Sequence, residues 1–208
     1  MKSVNNSTDN STNDSHNNQS LLIILDDLLT KNECKMLISK CHELLMNDDN
    51  GDLKFDPKLT RKMFYSTRYY DDDFRDMIWN RIKHLLPNNA HGILPKITLS
   101  MYNDYGFFPM HQDVQYECEG MFTRFTLNIF LNDAFNGGET DFFKDDKTTM
   151  RLSAKPKSGR GALFDEVIWH RGNTVTNGRK YLFRAHILMK EESNNHDWKR
   201  STNVNTLY

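Results

Sequence analysis

At 208 residues the chain is long enough to bury one substantial core and short for two, so a single domain is expected. Its 27 Lys+Arg against 28 Asp+Glu leave a net charge of -1 with no long basic run, which argues against nucleic acid as a partner. No apolar stretch nears the ~20 residues that span a bilayer, the N-terminus is polar rather than a charged-then-apolar leader, and three cysteines form no C-x-x-C pair; the expectation is an intracellular, cytoplasmic protein without a membrane partner, a disulfide framework or a zinc ribbon.

Residues 3–20 are nearly all Asn, Ser, Thr and Asp, too polar to offset the entropy of ordering, and read as a disordered tail. Leu21 to Leu25 suits a buried strand. Thr30 and Glu33 then form a capping box for a helix to about Met46, with Leu37, Ile38, Cys41, Leu44 and Leu45 as its buried stripe and His42 on its surface. Asn47 to Asp52 fails the calcium-loop pattern, because Met46 and Pro57 fall at ligand positions, and reads as a turn. Arg61 to Ser66 reads as a strand. Asp71 or Asp72 caps a second helix, in which Phe74, Ile78, Ile82 and Leu85 keep helical spacing until Pro87.

From Lys96 the pattern changes to short strands: Ile97–Tyr102, Phe107–Asp113, Phe122–Leu131, Thr140–Lys144, Met150–Ser153, Gly161–Phe164, Val167–His170 and Lys180–Met189. Strands punctuated by Asn-Gly-Gly and Ser-Gly turns indicate a β-sandwich or jelly-roll barrel. Within them, His111 and Asp113 are two residues apart on a strand and so share a face. An imidazole arriving from a distant strand, with His170 as the candidate, would complete two histidines and one carboxylate, the set that holds Fe(II) on one side and leaves the other open. Zinc also accepts this set, but the chain lacks the Glu-bearing helix of common zinc hydrolases.

The order Tyr102, His111-Gln112-Asp113, Arg124-Phe125-Thr126 leading into Phe130-Leu131-Asn132, Gly137-Gly138-Glu139-Thr140, Pro156 and Gly159 ahead of Gly161-Ala162-Leu163-Phe164, then His170 and Gly178-Arg179-Lys180-Tyr181, resembles the prolyl-4-hydroxylase-like branch of the 2-oxoglutarate/Fe(II) dioxygenases. The resemblance implies a mainly β protein: a double-stranded β-helix, the jelly-roll variant, with the N-terminal helices packed outside. It implies His111, Asp113 and His170 as metal ligands and catalytic centre, with Fe(2+), 2-oxoglutarate and O2 as cofactors and ascorbate as an optional accompaniment. For the far carboxylate of 2-oxoglutarate it implies Lys180 first, Arg184 on the same strand face second, and Arg179, which faces the other way, behind them. Tyr102 would bond the same carboxylate and Thr140 would line the pocket. The carboxylate at 113 points to hydroxylation rather than halogenation.

The expected organisation is thus a tail over 1–20, one dioxygenase domain over 21–190 with its core over 97–190, and a polar tail over 191–208. The expected reaction is hydroxylation of an unactivated C–H of a protein, peptide or small molecule, peptidyl prolyl or another side chain. Two rivals stand beside it. A nucleic-acid dealkylase of the same superfamily shares H-x-D and the distal His, but usually carries two arginines six apart and no Gly-Gly-Glu-Thr turn. A non-catalytic jelly-roll binding module would have no need of both a metal set and a deep cation. Oligomeric state leaves no mark in the sequence.

Overall fold

The structure, a computed structural model, describes residues 20–46 and 64–190 and the backbone of 205–206. The Asn/Ser/Thr-rich tail up to residue 19, the turn after Met46, the first half of the strand expected at Arg61–Ser66, and the C-terminal tail apart from 205–206 lie outside the described residues. In chain order the elements are β1 (Leu22–Leu25), α1 (Lys31–Met46), β2 (Phe64–Tyr69), α2 (Asp72–Ile82), β3 (Ala90–Ile93), β4 (Ile97–Tyr102), β5 (Phe108–His111), β6 (Tyr116–Cys118), β7 (Met121–Phe130), β8 (Asn136–Gly137), β9 (Thr140–Phe143), β10 (Met150–Ala154), β11 (Gly161–Asp165), β12 (His170–Gly172), β13 (Val175–Thr176), β14 (Lys180–Met189) and β15 (Asn205–Thr206).

The large sheet runs β1-β11-β7-β14-β4-β2, with β3 beside β14 and β6 joining β7 to β15; a four-stranded sheet runs β10-β9-β12-β5. Two facing sheets make the jelly roll. Strand alternation divides their side chains between two cores. Tyr181, Phe183, Ala185 and Ile187 of β14 join Leu99, Leu127 and Ile129 in one apolar cluster with Leu37 and Cys41 of α1 and Phe74, Ile78 and Ile82 of α2, so the helices cover the outer face of the large sheet. Leu182 of the same strand joins Tyr102, Phe130, Phe142, Ala162 and Phe164 between the sheets.

Both helices start where their caps require. Thr30 and Glu33 bond each other's backbone N–H at 2.7 and 3.2 Å, and Asp71 accepts from the Phe74 N–H at 2.9 Å. Arg81 in the last turn of α2 reaches Glu33 in the first turn of α1 with two hydrogen bonds of 2.8 and 3.0 Å, tying the end of one helix to the start of the other. His42 is exposed on α1 as its position implies, yet its Nε2 lies 2.6 Å from the Tyr181 hydroxyl.

Two expected strands need correction. The expected strand Val167–His170 is a turn over its first part, and the strand is His170–Gly172. Asp165 accepts from the N–H groups of Val167 and Ile168, which satisfies that backbone locally and leaves Val167 47% exposed. The strand expected to reach Asp113 ends at His111, because the Asp113 N–H bonds the Glu166 carbonyl at 3.0 Å instead of continuing a ladder.

Candidate metal centre

His111 ends β5, His170 begins β12, and the two are direct partners in the antiparallel pair formed by these strands. Their rings lie 4.1 Å apart between centroids. Asp113 completes the group from just beyond β5: its Oδ1 is 3.5 Å from His111 Nε2 and 3.9 Å from His170 Nε2, and one ligand atom from each of the three residues falls within 4.8 Å of the others. The three expected residues are therefore brought together, although Asp113 arrives from a loop rather than from the strand.

The far side of each ligand is held. His111 Nδ1 sits 2.8 Å from the Pro109 carbonyl and His170 Nδ1 3.0 Å from the Ile168 carbonyl. A carbonyl can only accept, so both Nδ1 atoms carry the proton and both Nε2 lone pairs face the common point. Burial pushes the His170 imidazole below its ordinary pKa, which favours the neutral form that metal coordination requires. For Asp113 burial acts upward, but its neighbours, His111 and the Arg184 guanidinium among them, outweigh it and hold the carboxyl well below the usual carboxylate range.

Sequence reasoning missed what stands behind Asp113. Thr126 donates to Asp113 Oδ2 at 2.6 Å, leaving Oδ1 for the centre. Beyond Thr126 lie His186 and the fully buried Glu166, paired at 2.7 Å, and Glu166 also accepts from Thr123 at 3.0 Å. Burial raises the Glu166 pKa while His186 opposes it. The signal was present in β7, where Thr126 and Asn128 put polar groups at alternate positions among Phe125, Leu127 and Ile129.

Next to the triad is a cleft with about 420 Å³ of empty space, lined among others by Tyr102, Asn128, Thr140, Lys180, Leu182 and Arg184. Lys180 is 1% exposed. Its Nζ donates to the Gly138 carbonyl at 2.7 Å and stands 5.0 and 5.2 Å from the rings of Tyr102 and Phe130. Burial brings its pKa down to about 7 against a weaker upward pull from Glu139. Burial likewise pushes the Tyr102 hydroxyl up. The Gly-Gly turn makes room for this lysine: Gly138 has φ +69°, and a Cβ there would lie 2.8 Å from Phe135 and 3.3 Å from Lys180 Cδ. Thr140 is buried in the same wall. Arg184 shares the inward face but sits at the metal end, its NH1 3.9 Å from Asp113 Oδ1, whereas Arg179 is exposed just before the strand begins.

This donor set suits a first-row divalent ion: two imidazoles and one carboxylate, with the side toward the cleft free of ligands among the described residues. The buried lysine beside aromatic rings suits the distal carboxylate of a dicarboxylate.

Residues 97–187 match the model of the 2OG-Fe(II) oxygenase superfamily. A segment of 96 residues, 46% of the chain, is 29% identical to an uncharacterized protein of Fowlpox virus (strain NVSL) and spans 22% of that protein's length. Among solved structures the chain is similar to the viral collagen prolyl hydroxylase of Paramecium Bursaria Chlorella virus-1 in its 2OG complex (TM-score 0.60, 19% identity, 82% of this chain and 96% of that one). It is also similar to a Pseudomonas putida prolyl-4-hydroxylase (0.62, 12%, 84% and 95%) and to a Trichoplax adhaerens prolyl hydroxylase in complex with a hypoxia inducible factor peptide fragment (0.60, 13%, 81% and 83%).

Proposed function

We propose, from the premise that residues 97–187 belong to the 2OG-Fe(II) oxygenase superfamily and carry a prolyl-hydroxylase-like fold, that the protein is an Fe(II)- and 2-oxoglutarate-dependent hydroxylase. His111, Asp113 and His170 are its iron ligands. The observation that carries this reading is the convergence of two imidazole Nε2 atoms and Asp113 Oδ1 on one point, with both Nδ1 atoms tied to carbonyls. When bound, the iron supplies the one thing side chains cannot, activation of O2 coupled to oxidative decarboxylation of 2-oxoglutarate.

Each protein group has a defined task. The two histidines and Asp113 fix the metal against one wall. Thr126 orients Asp113, and Lys180 holds the distal carboxylate of 2-oxoglutarate, drawing its proton firmly back when the anion enters. Tyr102 and Thr140 wall the same end, and the aromatic rings around Lys180 exclude water there. The overall reaction consumes a substrate C–H, O2 and 2-oxoglutarate and yields the C–OH, succinate and CO2.

The substrate we favour is a protein or peptide, with peptidyl proline as the first residue to test. We also place the protein inside cells as one domain over 21–190, in keeping with three cysteines that are all free. The deciding experiment reconstitutes the purified protein with Fe(II), follows 2-oxoglutarate decarboxylation with ascorbate present, and searches a peptide and small-molecule panel for products heavier by one oxygen. Stoichiometric tight zinc with no turnover after iron loading would refute the reading.

A further inference from the structure

Arg184 and Asn128 are inward-facing polar side chains that hold neither the metal position nor the lysine end. Arg184 on β14 and Asn128 on β7 are direct cross-strand partners, and both line the cleft. Neither is satisfied: Arg184 Nε and Asn128 Oδ1 are buried without a hydrogen-bond partner. Asn128 is 5% exposed. An orphaned buried donor is unfavourable, and an orphaned donor and acceptor side by side in a cleft mark where a ligand's polar atoms belong.

The charge facing Arg184 is that of Asp113, 3.9 Å away and too far for a hydrogen bond. The Asp113 oxygen involved, Oδ1, is the one that faces both histidine Nε2 atoms. A divalent ion at the triad therefore claims the Asp113 charge and leaves the guanidinium beside a net positive centre. Among the described residues that line the cleft, none is acidic. An anion next to the metal position is what relieves this arrangement.

We propose that Arg184, backed by Asn128, is a carboxylate-binding subsite at the metal end of the cleft, opposite the lysine end. The guanidinium offers planar paired donors matched to a carboxylate, and turning the Asn128 amide over exchanges its oxygen for a further donor. The inference rests on the metal and 2-oxoglutarate assignment above and deepens it. Two carboxylates have the required chemistry: the 2-oxo-acid end of 2-oxoglutarate and an acid group on the molecule to be hydroxylated.

The test uses the full chain loaded with Mn(II) under anaerobic conditions, with metal occupancy read by electron paramagnetic resonance. Wild type, Arg184→Met, Arg184→Lys and Asn128→Leu are titrated with 2-oxoglutarate by calorimetry. At saturating 2-oxoglutarate they are then titrated with acetate and with neutral acetamide, whose methyl relaxation by Mn(II) is followed by NMR. With metal occupancy and melting temperature unchanged, Arg184→Met should lose about tenfold in affinity for one of the two carboxylates, with Arg184→Lys intermediate and Asn128→Leu down about threefold. Loss for 2-oxoglutarate supports the subsite as that of its 2-oxo-acid end. Loss for acetate alone, with acetamide indifferent, supports it as that of an acidic substrate. Unchanged affinity for both carboxylates in a metal-loaded variant overturns the subsite and leaves the metal assignment standing; a wild type that binds no Mn(II) overturns both. If Arg184→Met does not fold, the other two variants decide by the same criteria.

Discussion

Thr126 and Asp113 are joined by a 2.6 Å hydrogen bond that commits one carboxylate oxygen to the protein and leaves the other for the centre. Asp113 lies beyond the end of its strand, so this bond and the one from its backbone N–H to the Glu166 carbonyl take over the orienting task of a ladder.

Removing that orientation should weaken metal binding without emptying the site. Thr126→Val keeps the shape and deletes the donor. Fe(II) or Mn(II) affinity should fall by about 10- to 100-fold, the usual effect of losing a group that positions a ligand. Metal titration of the folded variant checks this; wild-type affinity would show that Asp113 needs no such support.

Deleting the ligand itself should do far more. Asp113→Gly is expected to bind iron too weakly for turnover, and added chloride should not restore an oxidative reaction. Retention of wild-type metal affinity in this variant would move the metal away from the triad.

Lys180→Met should raise the Kd for 2-oxoglutarate by at least about tenfold, since a buried charge-assisted contact is worth about 1.5–3 kcal/mol. Arg179→Met, at an exposed position ahead of the strand, should leave it near the wild-type value. A reversed outcome would put the wrong face of β14 in the cleft.

The same lysine makes a pH prediction. Its folded pKa is lowered to about 7, while an unfolded lysine titrates near 10.4. Between these values the unfolded chain holds a proton that the folded chain has released, so this group makes stability rise as pH increases from about 7 to 10. Metal-free protein should gain melting temperature over that window relative to Lys180→Met. Saturating 2-oxoglutarate on the metal-loaded protein should flatten the difference, because the anion restores the lysine's charge. Parallel melting curves for the two proteins at all pH values would contradict the lowered pKa.

Glu33 supplies the opposite sign. Hydrogen bonds with Arg81, against a smaller upward effect of burial, hold its pKa at about 2. The stability it contributes is present above the unfolded value near 4.3 and is lost as pH falls toward 2. Glu33→Gln keeps an amide oxygen for the Thr30 N–H but loses the charged Arg81 pair, and should cost about 1 kcal/mol at neutral pH; chemical denaturation at pH 7 and pH 3 should show the gap closing.

Much of this was legible in the chain. The 16 residues of α1 and the ten residues of β14 fall where the capping box and the alternating pattern put them, because both signals are local and strong. The convergence of His111, Asp113 and His170 beside a cleft that Lys180 lines was legible through their order. What escaped were features set by tertiary partners. Val167 and Ile168 look like strand but form a turn closed by Asp165, and β3 and β6 are short pieces stabilised by their neighbours. The placement of Arg184 at the metal end, rather than beside Lys180, followed from strand rise: four residues carry a side chain about 13 Å along the sheet.

The alternation of β14 ties durability to chemistry in a way that separates two kinds of genetic damage. Substitutions at Phe183 or Ile187 strike the seam under the helices, and those at Lys180 or Arg184 strike the cleft, so point changes can harm one property and spare the other. A one-residue deletion in the 177–179 turn has no such choice. It would rotate every side chain of the strand to the other face at once, driving charges under the helices and aromatics into the cleft. In a library of random variants this stretch should therefore tolerate single-letter changes unevenly and length changes hardly at all.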